Sequence, residues 1–177
     1  FGKKITYKKY IEELDETARG LYNFGIIKGE VVTVMSVTNP ELEILFYALN
    51  KLGAVINLID VRSDYKQIRS YIKEVKSSTL IVMDNFLPRV DKDTDILVED
   101  IITLSPFNSV SYPFNKLGEK KKQEEDPTLY NEIAKIKNKK KYISWNKVMK
   151  TPKYCNVYYP CPKGNEVAAL VHTGGTT

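Results

Sequence analysis

Val31-Val32-Thr33-Val34-Met35, then Asn39-Pro40-Glu41, then Gly53-Ala54-Val55-Ile56-Asn57-Leu58-Ile59, decide the fold of this 177-residue chain. The first run is short, β-branched and apolar on both faces, which predicts a strand buried in a parallel sheet. Asn39 is a helix cap, Pro40 sits in the first turn where its missing N–H costs nothing, and Glu41 faces the positive end of the helix. Leu42, Leu45, Phe46 and Leu49 form the core stripe of that helix; Ile44, Tyr47 and Ala48 add apolar surface on other sides, which predicts deep burial. Gly53 fits the left-handed position after the last turn, and Ala54 to Ile59 begins a second strand.

The same unit extends in both directions. Upstream, Thr6 caps a helix whose Ile11, Leu14, Ala18 and Leu21 share one face, Gly25 stops it, and a turn at Lys28-Gly29 feeds the first strand. Downstream, Ser63 or Asp64 caps a helix carrying Tyr65, Ile68, Ile72 and Val75, followed by a strand at Leu80 to Met83 and another expected at Ile96 to Val98. Strands alternating with helices through tight joints predict an α/β fold, an open, mostly parallel sheet with helices on both faces, over residues 1–104. From 105 to 162 the chain gains prolines, lysines and tyrosines and loses strand periodicity. Only short helices near Leu129 to Ile136 and Trp145 to Met149 are expected in this excursion. Residues 163–177 hold a returning strand, Val167 to Val171, and the loop His172-Thr173-Gly174-Gly175-Thr176-Thr177.

Composition removes several classes of function. With 42% hydrophobic and 28% charged residues the chain has the makeup of a folded globular protein. No apolar run approaches the roughly 18 residues of a membrane span, and Phe1-Gly2-Lys3-Lys4 lacks the core of a signal peptide; with no starting Met the chain reads as an excerpt. Two cysteines, Cys155 and Cys161, are too few for a disulfide framework and predict ordinary thiols in a cytoplasmic protein. One histidine, His172, cannot support a multi-histidine metal site, and any Ser/His/Asp triad would have to use it. The net charge of +5 is local: Lys116 to Lys153 contains twelve lysines and five acids, so the remainder is near −2. Lys120-Lys121-Lys122 and Lys139-Lys140-Lys141 read as solvated surface, and no nucleic-acid partner is expected; docking to nucleic acid or anionic lipid is the competing reading.

Ligands of open parallel sheets gather at the carboxyl ends of the strands. Asp60, Asp84 and Asp100 are each expected just past a strand, where they serve as turn residues or hold a ribose or a metal. Ser36 to Asn39 after the first strand is equally open to either reading. Thr173 to Thr177 carries more information, since two glycines let several N–H groups aim at one point and three threonines add hydroxyl donors, a set suited to phosphate oxygens. The spacing is neither that of a Walker loop nor that of the GxGxxG dinucleotide fingerprint.

Ala168-Ala169-Leu170-Val171-His172-Thr173-Gly174-Gly175-Thr176-Thr177 resembles the start of the phosphate-binding signature of adenylate-forming enzymes, the superfamily of acyl-CoA synthetases, peptide-synthetase adenylation domains and luciferases. Ile5-Thr6-Tyr7, Gly25-Ile26-Ile27-Lys28-Gly29-Glu30-Val31-Val32, Asn39-Pro40-Glu41 and Phe46-Tyr47-Ala48-Leu49-Asn50-Lys51-Leu52-Gly53-Ala54-Val55 are similar to the family in order and spacing. The resemblance covers residues 5 to about 84 and 165 to 177, and the phrase around Asn50 and Leu58-Ile59-Asp60 looks most like bacterial acyl-CoA synthetases. It implies the amino-terminal part of a ligase that joins a fatty or other small carboxylic acid to AMP and then to CoA, using ATP and Mg2+. Thr173, Gly174, Gly175, Thr176 and Thr177 would wrap the β- and γ-phosphates; Gly174 stands where many relatives have Ser. The motif's continuation, Gly-x-Pro-Lys-Gly, is missing, and Pro162-Lys163-Gly164 lies before the strand. No catalytic residue and no metal ligand is expected within these residues, because the family's magnesium-binding Glu, ribose-binding Asp and catalytic Lys come later. The stretch alone is therefore expected to be inactive. A nucleotide-binding α/β module without catalysis is the competing reading.

Overall fold

The structure is a computed structural model describing residues 4–90, 98–108, 110–138, 142–150, 156–157, 159–160 and 162–172. Helix α1 (Tyr7–Phe24) starts where the Thr6 hydroxyl accepts a bond from the Lys9 amide, and ends at Gly25, whose φ of 120° an L side chain rarely adopts. Strand β1 (Val31–Met35) leads to α2 (Pro40–Lys51), which Asn39 caps through the Leu42 amide with Pro40 opening the first turn. Strand β2 (Val55–Leu58), α3 (Tyr65–Val75) and β3 (Thr79–Met83) follow. Asp64 rather than Ser63 caps α3, in a reciprocal capping box with Gln67. After a single 3₁₀ turn at Asp84–Phe86 come α4 (Leu87–Val90), β4 (Asp100–Leu104), α5 (Phe114–Glu125), α6 (Pro127–Lys137), β5 (Tyr142–Ser144), α7 (Trp145–Val148) and β6 (Ala169–Val171).

Among the described residues all pairings are parallel, in the order β5-β4-β3-β1-β2-β6, so the expected open sheet is present and its first strand is central. Alternating residues feed two cores. Val32, Val34, Ile56, Ile81 and Ile102 meet Ala18 and Leu21 of α1 and Leu45 and Leu49 of α2 on one face. Met35, Leu80, Val82 and Ile101 meet Ile68 and Ile72 of α3, Leu87 and Val90 of α4 and Ile133 and Ile136 of α6 on the other. Among the described residues the buried hydrophobic side chains, Met83 apart, thus divide between two layers, the arrangement that crossovers between parallel strands impose.

Three expectations change. The fourth strand is Asp100–Leu104, not Ile96 to Val98, so Asp100 opens a strand instead of following one; of that expected run only Val98 lies within the described residues, buried and outside any strand. Ile11 and Tyr47 are about half exposed, because α1 and α2 use each other and the sheet as partners and leave their outer surfaces to water. Residues 105–162 contain two elements that periodicity did not announce, α5 and β5. No residue of α5 is buried, hence no apolar stripe; β5 has three residues, too few for an alternation to register.

Candidate nucleotide-binding site

Strand β6 occupies the sheet edge beyond β2, with Asn57 opposite Leu170 and Leu58 opposite Val171. Its approach is tethered twice. Lys28 Nζ meets Glu166 Oε1 at 2.9 Å, and the Asn50 amide donates to Phe46 O at 2.8 Å and reaches Ala168 O at 3.4 Å. The hydrogen bond from Lys28 holds the Glu166 carboxyl below its ordinary pKa. Because β6 runs parallel to the other strands, the chain leaves it at their carboxyl ends, where the expected phosphate loop belongs. Thr173, Gly174, Gly175, Thr176 and Thr177 lie outside the described residues.

His172, the last described residue, is fixed from two directions. Its ring stacks on Tyr71 of α3 with centroids 3.7 Å apart and planes 15° from parallel, and Nε2 lies 2.8 Å from Asn57 Oδ1. The other end of the Asn57 amide donates to Thr33 Oγ1 at 3.0 Å, so Oδ1 is the acceptor and His172 Nε2 carries the hydrogen. Asn57 and Thr33 are wholly buried and face each other across β1 and β2. Ser77, also buried, accepts from the Thr33 amide at 3.1 Å, and its hydroxyl lies 2.8 Å from the carbonyls of Val31 and Thr79. A polar chain thus crosses the middle of the sheet to the residue before the loop. Asn57, Thr33, Tyr71 and Ser77 were not among the expected site residues; the available signal was the two polar residues interrupting otherwise apolar strands.

The aspartates differ from one another. Asp60 follows β2 but is spent on Arg62, with Oδ2 2.6 Å from Nη2 and Oδ1 accepting the Arg62 amide at 2.8 Å; these hydrogen bonds hold its carboxyl down at about 2. Asp84 follows β3 and is buried, with Oδ2 2.5 Å from Lys137 Nζ. Burial pushes its pKa up, against the opposing pull of the Lys137 ammonium. Asp100, at the start of β4, stands at the opposite end of the sheet from the strand exits. Among the described residues no three His, Cys, Asp or Glu side chains gather closely enough to hold a metal, and no helix is long and apolar enough to cross a membrane. On α5, Lys120, Lys121 and Lys122 lie within 4.0 Å of Glu124 or Glu125, an exposed ion-paired surface; Lys139, Lys140 and Lys141 lie outside the described residues.

The described residues thus form an open parallel α/β sheet, the class of fold whose ligands gather at the carboxyl ends of its strands. The family model for the AMP-binding enzymes matches residues 1–177, and the chain belongs to that family. It is 24% identical over its whole length to a long-chain-fatty-acid–CoA ligase of Bacillus subtilis, covering 31% of that protein. Over 63% of its length it is 26% identical to a peroxisomal trans-cinnamate:CoA ligase of Petunia hybrida, covering 20% of it. Among solved structures, coronafacic acid ligase from Pectobacterium brasiliense superposes with a TM-score of 0.66 at 18% identity over 97% of this chain and 29% of that one. The amino-terminal subdomain of Klebsiella oxytoca NpsA superposes with a TM-score of 0.58 at 19% identity over 98% of this chain and 33% of that one. The sheet is therefore that of the amino-terminal subdomain of adenylate-forming enzymes, and the chain spans a third or less of these relatives' length.

Proposed function

We propose that these residues are the amino-terminal part of an ATP-dependent acid–thiol ligase. A carboxylate oxygen attacks the α-phosphorus of ATP, the bond to the β-phosphate oxygen breaks, and pyrophosphate leaves. The sulfur of CoA then attacks the acyl carbon and AMP departs with the bonding pair. The observation that carries the reading is the exit of β6 at the carboxyl edge, next to His172, directly into Thr173-Gly174-Gly175-Thr176-Thr177. Amides and hydroxyls are the donor set that phosphate oxygens take, and anchoring their strand supplies the preorganisation on which electrostatic catalysis depends. Thr173, Gly174, Gly175, Thr176 and Thr177 would hold the β- and γ-phosphates, and His172, locked by Asn57 and Tyr71, would set where the loop starts. Magnesium, entering with the nucleotide, would neutralise phosphate charge.

A fatty or other small carboxylic acid is the substrate class, with CoA as acceptor, and the ligase names of the relatives support both. The residues here act within a longer chain and alone form no acyl adenylate. ATP–pyrophosphate exchange by the intact protein, across acids from acetate to long-chain fatty and aryl acids, tests this. Exchange dependent on one acid class supports the ligase and names its substrate; no exchange from folded protein leaves a nucleotide-binding module. In that assay Thr176→Ala should slow exchange roughly tenfold to a few hundredfold, the value of one hydrogen bond to a charged group.

A further inference from the structure

We propose that α5, with the Tyr112-Pro113 step before it, is a docking element for an anionic lipid bilayer, lying on the membrane surface without crossing it. Tyr112, Phe114 and Leu117, three large apolar side chains within six residues, are 81%, 66% and 59% exposed. Single apolar side chains at a surface are ordinary, whereas several gathered at one helix end mark a surface that meets something.

The helix itself lacks the usual sources of stability. None of its twelve residues is buried, and Pro113 at its start supplies no side-chain cap. Isolated helices of about this length are marginal in water, and in proteins an apolar face pressed against a partner holds them. The attachments to the rest of the fold use Gly118 and Glu119: a Cβ added at Gly118 would meet the Phe107 ring at 2.6 Å, and the Ser105 hydroxyl donates to Glu119 at 3.3 Å. Those contacts leave Leu117 outside. Phe114 lies three residues before Leu117, and Lys120 and Lys121 lie three and four after it, so helical spacing makes all three its surface neighbours. Phe and Leu for the acyl boundary, Tyr for the headgroup level and Lys for lipid phosphates are the residue types of a helix that lies in a bilayer interface.

The charges select the lipid. Lys116, Lys120 and Lys121 are all exposed around Leu117. Glu119, the one acid of α5 that precedes them along the chain to Lys120, is turned onto Ser105, with Lys116 Nζ 3.3 Å from its other oxygen. Glu124 and Glu125 come a turn later, 3.9 and 4.0 Å from Lys120 and Lys121, and exposed pairs of that length are weak. The stretch from Lys116 to Lys153 holds twelve lysines against five acids, and cations near an anionic leaflet add to binding one by one. A nucleic acid would use the same lysines but has no place for an aliphatic side chain at their centre.

The intact protein, without ATP or acid, would be floated with vesicles of phosphatidylcholine alone and of phosphatidylcholine with phosphatidylserine, in dilute and in concentrated salt. Binding to the serine-lipid vesicles in dilute salt is expected, about tenfold or more above that to phosphatidylcholine and falling as salt rises. Phe114→Ser with Leu117→Ser, and separately Lys120→Glu with Lys121→Glu, should each weaken it about tenfold or more. Circular dichroism checks that the variants fold. If either pair does not, amide hydrogen exchange on unaltered protein supplies the localisation, with residues 112–125 slowed when the serine-lipid vesicles are present. The proposal is overturned if these vesicles are not bound, if binding ignores both variant pairs, if exchange in 112–125 is unchanged, or if a soluble DNA duplex binds as tightly as the vesicles. None of these outcomes bears on pyrophosphate exchange in vesicle-free solution, so the ligase reading stands or falls separately.

Discussion

Two regions of the sheet hold the polar groups buried beside their strands differently. On the β1–β2–β6 side, Thr33, Asn57 and His172 link donor to acceptor across three strands. On the β3–β4–β5 side, Asp84 is buried against the Lys137 ammonium, and Asn108 Nδ2 is enclosed by protein with no acceptor among the described residues. A completed network has one low-energy arrangement and fixes whatever is attached to it, whereas an incompletely matched buried group carries a desolvation cost that packing must offset. The comparison assigns scaffolding to the first region and a burial cost to the second, although both lie on parallel strands of one sheet.

The most damaging test is Asn57→Ala. It strips partners from Thr33 and His172 at once and opens a void between β1 and β2, so it should cost about 2–4 kcal/mol in urea unfolding. A cost under about 1 kcal/mol would show that the polar chain is not scaffolding. His172→Phe keeps a ring against Tyr71 and removes only the bond to Asn57, in a place that water partly reaches. About 1 kcal/mol is expected from thermal unfolding, together with a raised KM for ATP in the intact enzyme, an effect that a purely structural histidine would not produce.

Asp84→Asn should have the smallest effect on stability and the most informative pH dependence. Asn keeps an acceptor for Lys137, whose side chain is about one-third exposed and can turn to water, so the change at acid pH should stay within about 1 kcal/mol. Burial raises the native carboxyl above its ordinary 3.8, so native protein binds that proton more tightly than unfolded chain. Stability linked to Asp84 is thus full below about 3.8 and declines as pH rises through the raised value. Asn cannot ionise, and the variant should gain on the parent between pH 4 and neutrality in parallel melting curves. A gap that closes instead of widening would mean that the ion pair outweighs the burial, and that this end is as complete as the other.

Much of the fold was legible because its signals are local. The caps Thr6, Asn39 and Asp64 and the stops at Gly25 and Gly53 act within one turn of chain, and apolar β-branched runs mark strands buried on both faces. The proposed phosphate loop, Thr173 to Thr177, rests on a local signal of the same kind, consecutive residues that each offer a donor. The start of β4 was not, since Asp100 is a poor strand former recruited by pairing with Thr79. Nor was β5, whose three residues become a strand only because β4 offers an open edge.

By itself the sequence determined the α/β class and the alternation of elements, and it singled out Thr173 to Thr177 as the proposed phosphate-binding segment, all from properties of neighbours along the chain. Tertiary structure alone decided which strands lie side by side, that Asn57 meets His172 across 115 residues, and that Asp84 meets Lys137 across 53. Those pairings depend on sheet order and crossover, which bring distant residues within hydrogen-bond reach, and no local pattern encodes a distance between residues that far apart.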